Sequence, residues 1–270
     1  MVLRGSNGCY TRAMPLHLVT WNVNSVRARL DNVLTFLDEH EPDVLCLQET
    51  KVEDRLFPRV PFMDYGYTVT LHGTKGYAGV ATISKAAPTE VHRGFRSEPA
   101  DRAPRILNTV IDGVRIYNLY VPNGTALDSD AFPYKLDWFR RLESELKSTC
   151  EDGQEVLVTG DFNIAPDARD VWDVETMRGS LHFTDEEHRA LEGLLSFGLQ
   201  DCFRKHSDEP GQFTWFDYRN AAFQRGHGLR IDHVYATAGL YARSSRVLHD
   251  AEPRSWESPS DHLPVHAWFE

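Results

Sequence analysis

The sequence predicts an α/β protein in which two packed β-sheets are covered by helices. Short apolar runs ending in polar turns recur along the chain, and three stretches of helical period lie between them. Two of the runs, LVTWN at residues 18–22 and LVTGDFN at 157–163, repeat one another and place an asparagine just beyond a strand. That repeat implies two similar halves whose strand ends meet at one edge. A length of 270 residues suits one large domain, taken as residues 14–270, without a linker.

Residues 1–13 hold Arg4, Ser6, Thr11 and Arg12, and no acidic residue precedes Asp31. The segment is short and lacks an apolar face, so it reads as a disordered extension; organellar targeting is not favoured, and Met14 is an alternative start. Leu16–Trp21 reads as a strand, stopped by the polar turn Asn22-Val23-Asn24-Ser25, which also offers a helix cap. Val26, Leu30, Val33, Leu34 and Leu37 then share one helical face, Pro42 ends the helix, and Asp43–Gln48 is a buried strand closing on Glu49. Tyr67–Leu71, Gly79–Ile83, Ile106–Ile111 and Val114–Val121 carry strand signals, and Asp112-Gly113 marks a hairpin between the last two. Residues 132–150 return to helical period, and Glu155–Thr159 is a strand ending in Gly160-Asp161-Phe162-Asn163. A helix at 185–198 and strands near Phe213–Phe216, Arg230–Ala236 and Leu263–Phe269 complete the pass.

Forty acidic residues against 29 basic ones give a net charge of −11, which argues against gripping a polyanion through bulk charge. Contact with nucleic acid must then be local or metal-assisted. Residues 170–209 hold ten acidic and four basic residues and read as a solvated outer face, whereas Arg93, Arg96, Arg102, Arg105, Arg219, Arg225 and Arg230 are candidates to line a groove. Cys9, Cys46, Cys150 and Cys202 show neither zinc-site nor disulfide spacing, so reduced thiols and a cytoplasmic setting are expected. No apolar run approaches the roughly 18 residues of a membrane span.

Six polar motifs fall at strand ends or loops, and each alone reads as a turn or cap. Their joint order is far more specific. TWNVNSVR, LQETK, YNLYVPNG, GDFNIAP, FTWFDYR, GLRID and PSDHLPV run from Thr20 to Val265. In that order they resemble the exonuclease III family of AP endonucleases, within the endonuclease/exonuclease/phosphatase superfamily. The resemblance implies a four-layered α/β sandwich of the DNase I-like kind. It also implies a monomeric enzyme that cleaves duplex DNA 5′ to abasic sites, with 3′–5′ exonuclease and 3′-phosphatase or phosphodiesterase activity at 3′ ends. The alternatives are a superfamily phosphodiesterase acting on phosphoinositide, lipid or non-specific DNA, or an inactive DNA-binding protein.

Attack on a phosphodiester builds charge on phosphorus oxygens and calls for a cation, neutral donors and a base. Glu49 and Asp261 are hard oxygen ligands and Asn22 adds a neutral one, which suits Mg²⁺, with Mn²⁺ as a substitute, better than zinc. The resemblance adds Asp161, Asn163 and His262 to the metal surroundings. It makes Asp161 the residue that deprotonates the attacking water, Asn163 the one that orients the water or holds the phosphate, and His262 the donor to the phosphate, supported by Asp232, although sequence leaves open whether His262 is base or electrophile. Tyr120 would serve the leaving oxygen, with Asn123 on the same loop, and Asn24 and Lys51 match positions beside the ligands. Trp215, Leu229 and Ile231 match an apolar pocket for a baseless sugar, with Phe216, Arg105 and Arg230 as further substrate contacts.

Overall fold

A computed structural model describes residues 14–270; the reading of residues 1–13 falls outside the described residues. In chain order the elements are β1 (Leu16–Asn22), α1 (Leu30–His40), β2 (Val44–Gln48), α2 (Arg59–Asp64), β3 (Thr68–His72), β4 (Val80–Ser84), β5 (Glu90–Arg93), β6 (Ile106–Ile111) and β7 (Val114–Tyr120). They continue with α3 (Ala131–Thr149), β8 (Val156–Asp161), α4 (Val174–Met177), α5 (Asp185–Leu195), β9 (Gln200–Asp201), α6 (Ala222–Arg225), β10 (Asp232–Ala236), α7 (Ala238–Arg243), β11 (Ser244–His249) and β12 (Val265–Phe269). The strands form two six-stranded sheets, ordered β11-β12-β1-β2-β4-β3 and β5-β6-β7-β8-β10-β9.

Alternation along the strands builds the layers. Leu18, Val44 and Cys46 of the first sheet meet Ile116, Leu157 and Val234 of the second in the inter-sheet core. Their neighbours Val19, Trp21, Leu45 and Leu47 face outward onto Val33, Phe36 and Leu37 of α1. On the far side Leu119, Val156 and Val158 pack beneath Trp138, Phe139 and Leu142 of α3 and Leu191 and Leu194 of α5. The order helix, sheet, sheet, helix is the four-layered sandwich expected.

Each sheet is centred on a parallel pair joined by a helix, β1-α1-β2 in one and β7-α3-β8 in the other, with antiparallel strands outside. The two halves are therefore alike, but the sequence repeat identified the wrong counterpart. β8 takes the position of β2, so EVLVTGD matches DVLCLQE and Asp161 matches Glu49.

The Asp112-Gly113 hairpin forms as expected, with both residues at positive φ, 49° and 83°. The first helix begins four residues later than its periodicity implied, and Ser25 does not cap it. Instead Val23, Ser25 and Val26 donate backbone N–H groups to the carbonyls of Gln48, Glu49 and Thr50, extending the β1–β2 pairing past the sheet. Phe213–Phe216 makes only isolated bridges from Trp215 to Leu229 and His262. Residues 170–209 are not wholly a solvated face either: Asp170 and Glu187 are buried, because each neutralises an interior cation, Arg230 and Lys135 respectively.

Gly160 is the one glycine on which the site's position depends directly. Its φ is +136°, and a Cβ there would lie 2.0 Å from the carbonyl oxygen of Leu119 on β7. Gly160→Ala is expected to destabilise the protein by about 1–3 kcal/mol or more through overpacking and strain, read as a lower midpoint in denaturant. An unchanged midpoint would show that β7 and β8 can separate without cost.

Candidate active site

The sheet register assembles a polar row before any loop is considered. Tyr120 pairs with Asp161 across β7 and β8, and Asp161 with Asp232 across β8 and β10, so their side chains share one face. From the first sheet, the Asn22 amide crosses to Asp161 Oδ2 at 2.9 Å and also donates to Glu49 Oε1 at 2.8 Å. His262 arrives from the loop before β12. Ser260 Oγ donates to the Asn22 carbonyl at 2.6 Å and accepts from the His262 N–H at 3.2 Å, fixing that loop to the end of β1.

His262 Nδ1 lies 2.9 Å from Asp232 Oδ2, and its Nε2 lies 3.8 Å from Asp161 Oδ2. Burial opposes its charge, but the Asp232, Asp161 and Asp261 carboxylates outweigh burial and raise its pKa to about 10. Asp161 moves the same way for a different reason. Its burial, with the Asp232 and Glu49 charges, raises it to about 7 against the opposing pull of His262 and the Asn22 hydrogen bond. The Tyr120 hydroxyl is pushed well above its usual range by burial and by the charges of Glu49 and Asp161, and Arg105 opposes this from 4.7 Å over the ring.

Glu49, Asp161 and His262 offer ligand atoms that all lie within 4.8 Å of one another. The other expected ligands are placed differently. Asn22 turns its amide nitrogen to the two carboxylates and its oxygen to the Asn24 N–H, so it acts here as a donor. Asn163 is held at both ends, accepting from Asn123 Nδ2 and donating to the Val121 carbonyl. Asp261 lies outside the three-residue group, with Trp215 Nε1 on one oxygen at 3.0 Å and Asn24 Nδ2 on the other at 3.0 Å. Lys51 Nζ joins this chain of contacts, 2.7 Å from Glu49 Oε2 and 2.5 Å from Asn24 Oδ1. Asn24, Glu49, Lys51 and Asn163 all have positive φ, local strain concentrated at the site.

Sequence reasoning missed the support beneath Asn123 and Asn163. Lys135 of α3, fully buried, donates to the Asn163 carbonyl at 2.6 Å and the Asn123 carbonyl at 3.2 Å, and pairs with Glu187 at 2.5 Å. His182, with φ of 74°, places Nδ1 2.6 Å from that same Asn163 carbonyl. A lysine within a helical apolar stripe was the available signal for Lys135; nothing local marked His182.

A cavity of about 480 Å³ adjoins the site and is walled by Trp215, Leu229, His182, Trp172, Arg219 and Arg225. Trp215 and Leu229 both line this cavity. Ile231 is buried behind that wall against Ala165, Val171 and Leu229. Phe216 is a core residue, packed with Phe213, Phe223 and Leu263. Arg230 is also structural: buried, it binds Asp170 and Asp201, so no charge is left for a substrate. Arg105 stacks on Tyr120 and donates to its carbonyl at 3.2 Å.

Trp215 is only half-buried, and its loss should therefore cost less than the roughly 3–5 kcal/mol typical of a core tryptophan. Trp215→Ala is expected to reshape the cavity, read as a changed ratio of rates on substrates that do and do not fill it. A large drop in melting temperature with an unchanged ratio would return Trp215 to the core.

Comparison with known proteins places this geometry. The chain belongs to the Endonuclease/Exonuclease/phosphatase family, whose model matches residues 19–262. It is 34% identical over 266 residues to exodeoxyribonuclease III of Haemophilus influenzae, a match covering 94% of this chain and 100% of that protein. Among solved structures it is similar to the 3′ phosphatase NExo from Neisseria bound to product DNA hairpin, with a TM-score of 0.92 and 39% identity, over 94% of this chain and 99% of that one. An AP endonuclease from Archaeoglobus fulgidus superposes with a TM-score of 0.89 at 38% identity, over 94% and 99% of the two chains.

Proposed function

We propose that this chain is a Mg²⁺-dependent DNA repair phosphodiesterase of the exodeoxyribonuclease III type, cleaving duplex DNA 5′ to abasic sites and processing 3′ ends. The observation that carries the reading is the meeting of Asp161, His262 and Asp232 beside Glu49 and next to the cavity walled by Trp215. Asp161 accepts a proton from the attacking water, its buried carboxylate held in place by the Asn22 amide and the Asn163 N–H. His262, kept charged by Asp232, donates to the non-bridging phosphate oxygen where negative charge grows. Tyr120 stands on the next strand to stabilise the leaving oxygen, and Asn123 and Asn163 hold the phosphate from the opposite side.

The residues fit a hard dication. Glu49 and Asp161 converge on one amide nitrogen in a buried setting where their mutual repulsion helps to hold Asp161 protonated, and a divalent charge offsets that repulsion. When bound, it would supply Lewis-acid stabilisation of the phosphoryl oxygens. His262, as an imidazolium, is a donor and not a ligand.

The wall of Trp215 and Leu229 accepts a sugar lacking its base, and flipping costs least where nothing stacks. The test is cleavage of a duplex carrying a central tetrahydrofuran abasic analogue. EDTA should abolish cleavage, Mg²⁺ should restore it, and circular dichroism should show the fold intact throughout. Full activity in EDTA would remove the metal role of Glu49; equal cutting of abasic and intact duplex would remove the abasic preference.

A further inference from the structure

Away from the catalytic row, a second group of metal-type donors converges on the outer face of the first sheet. His40 ends α1, His266 lies on β12 and Asp250 follows β11, three distant parts of the sequence brought together by the fold. Their ligand atoms lie within 4.8 Å of one another. Asp250 Oδ2 is 3.5 Å from His40 Nε2 and 3.7 Å from His266 Nε2, too far for charge-assisted hydrogen bonds, which close to about 2.7–2.9 Å. Those separations are instead close to the edge of a tetrahedron, ~3.3 Å, whose corners stand about 2.0–2.1 Å from a central ion.

The decisive atom is His266 Nε2. It is buried, in a residue only 1% exposed, and has no hydrogen-bond partner among the described residues, although a buried polar atom left unpaired is costly. The other nitrogen of the same ring is occupied: His266 Nδ1 lies 3.0 Å from His17 Nε2. With the proton on Nδ1 donated to His17, the Nε2 lone pair points at Asp250 and His40. An outer hydrogen bond of that kind fixes the tautomer of metal-bound histidines. His17 is itself held flat by stacking on Trp268, with centroids 4.5 Å apart. The His40 side chain is 29% exposed and leaves an entry path from solvent.

We infer that His40, Asp250 and His266 form a second metal site, for Zn²⁺ or a similar imidazole-seeking divalent cation, that ties the end of α1 to the β11–β12 edge. Two imidazoles and one carboxylate select such an ion over Mg²⁺. The site shares no residue with the Glu49, Asp161 and His262 group of the catalytic row.

The experiment is a Zn²⁺ titration of the EDTA-stripped full chain in excess Mg²⁺, against a chromophoric chelator. The expected result is one tight equivalent that persists in Glu49→Gln and weakens at least tenfold in His40→Ala and in Asp250→Asn. His17→Phe, which removes the outer hydrogen bond, should weaken it about 10–100-fold. Zn²⁺ should also raise the melting temperature of the wild type and leave that of His40→Ala unmoved. Should His40→Ala fail to fold, His40→Gln carries the comparison. The inference is overturned if no tight equivalent exists, if it survives in both His40→Ala and Asp250→Asn, or if it vanishes in Glu49→Gln alone.

Discussion

Asp161→Asn and His262→Ala are each expected to lower the cleavage rate by about 10²–10⁴-fold while leaving duplex affinity little changed. In the proposed mechanism both groups act where charge moves, Asp161 on the water proton and His262 on the phosphate oxygen, and their Oδ2 and Nε2 lie 3.8 Å apart, side by side. The amide in Asp161→Asn keeps the size and the N–H of Asn163 as a neighbour, but it cannot take a proton. Asp232→Asn should be milder, because it removes the charge that supports His262 and leaves the imidazole in place. Single-turnover rates and fluorescence anisotropy on the same abasic duplex separate the two effects. Equal loss of DNA binding in all three variants would make this row a structural element and not a catalytic one.

Much of that row was legible because it is written in strand ends. Asn22, Glu49, Asp161 and Asp232 each sit at the first or last position of a short apolar strand or one residue beyond it, so recognising the strands placed the residues. What the pattern could not say was which strands are equivalent. LVTWN and LVTGDFN look alike, yet hydrogen bonding decides that β8 corresponds to β2, and only a parallel partner on each side reveals it. The edge strands β5 and β11 escaped for a physical reason. Both are largely solvated, so neither needs the apolar alternation by which a strand is recognised.

Side-chain direction was the harder problem in the C-terminal half. FTWFDYR offers three aromatics in four positions, and the sequence does not say which two face inward. The backbone bridges from Trp215 to Leu229 and His262 fix the choice, leaving Trp215 at the cavity and Phe213 and Phe216 in the core. Arg230 shows the opposite trap. A cation beside a candidate catalytic aspartate reads as a phosphate contact, but the buried Asp170 and the partly buried Asp201 already hold it. The acidic excess of residues 170–209 is in part the counter-charge of this interior arginine and of Lys135.

Lys135→Met is the substitution expected to cost the most stability, about 3–5 kcal/mol, because it leaves Glu187 as a buried carboxylate without its cation. Glu187 would still accept the backbone N–H groups of His182 and Thr184, so the start of α5 should survive, while the global midpoint in denaturant falls. Adding Glu187→Gln removes the stranded charge and keeps an acceptor for one of those two N–H groups, and should recover part of the stability. Activity should not return with it. The ammonium of Lys135 is what holds the Asn123 and Asn163 carbonyls on one centre, and Asn163 in turn places its N–H on Asp161 at 2.9 Å. The double variant is therefore expected to be more stable than Lys135→Met yet equally slow on abasic duplex. Recovery of both together would reduce Lys135 to a counter-ion for Glu187, and the two asparagine loops would then have to hold their geometry unaided.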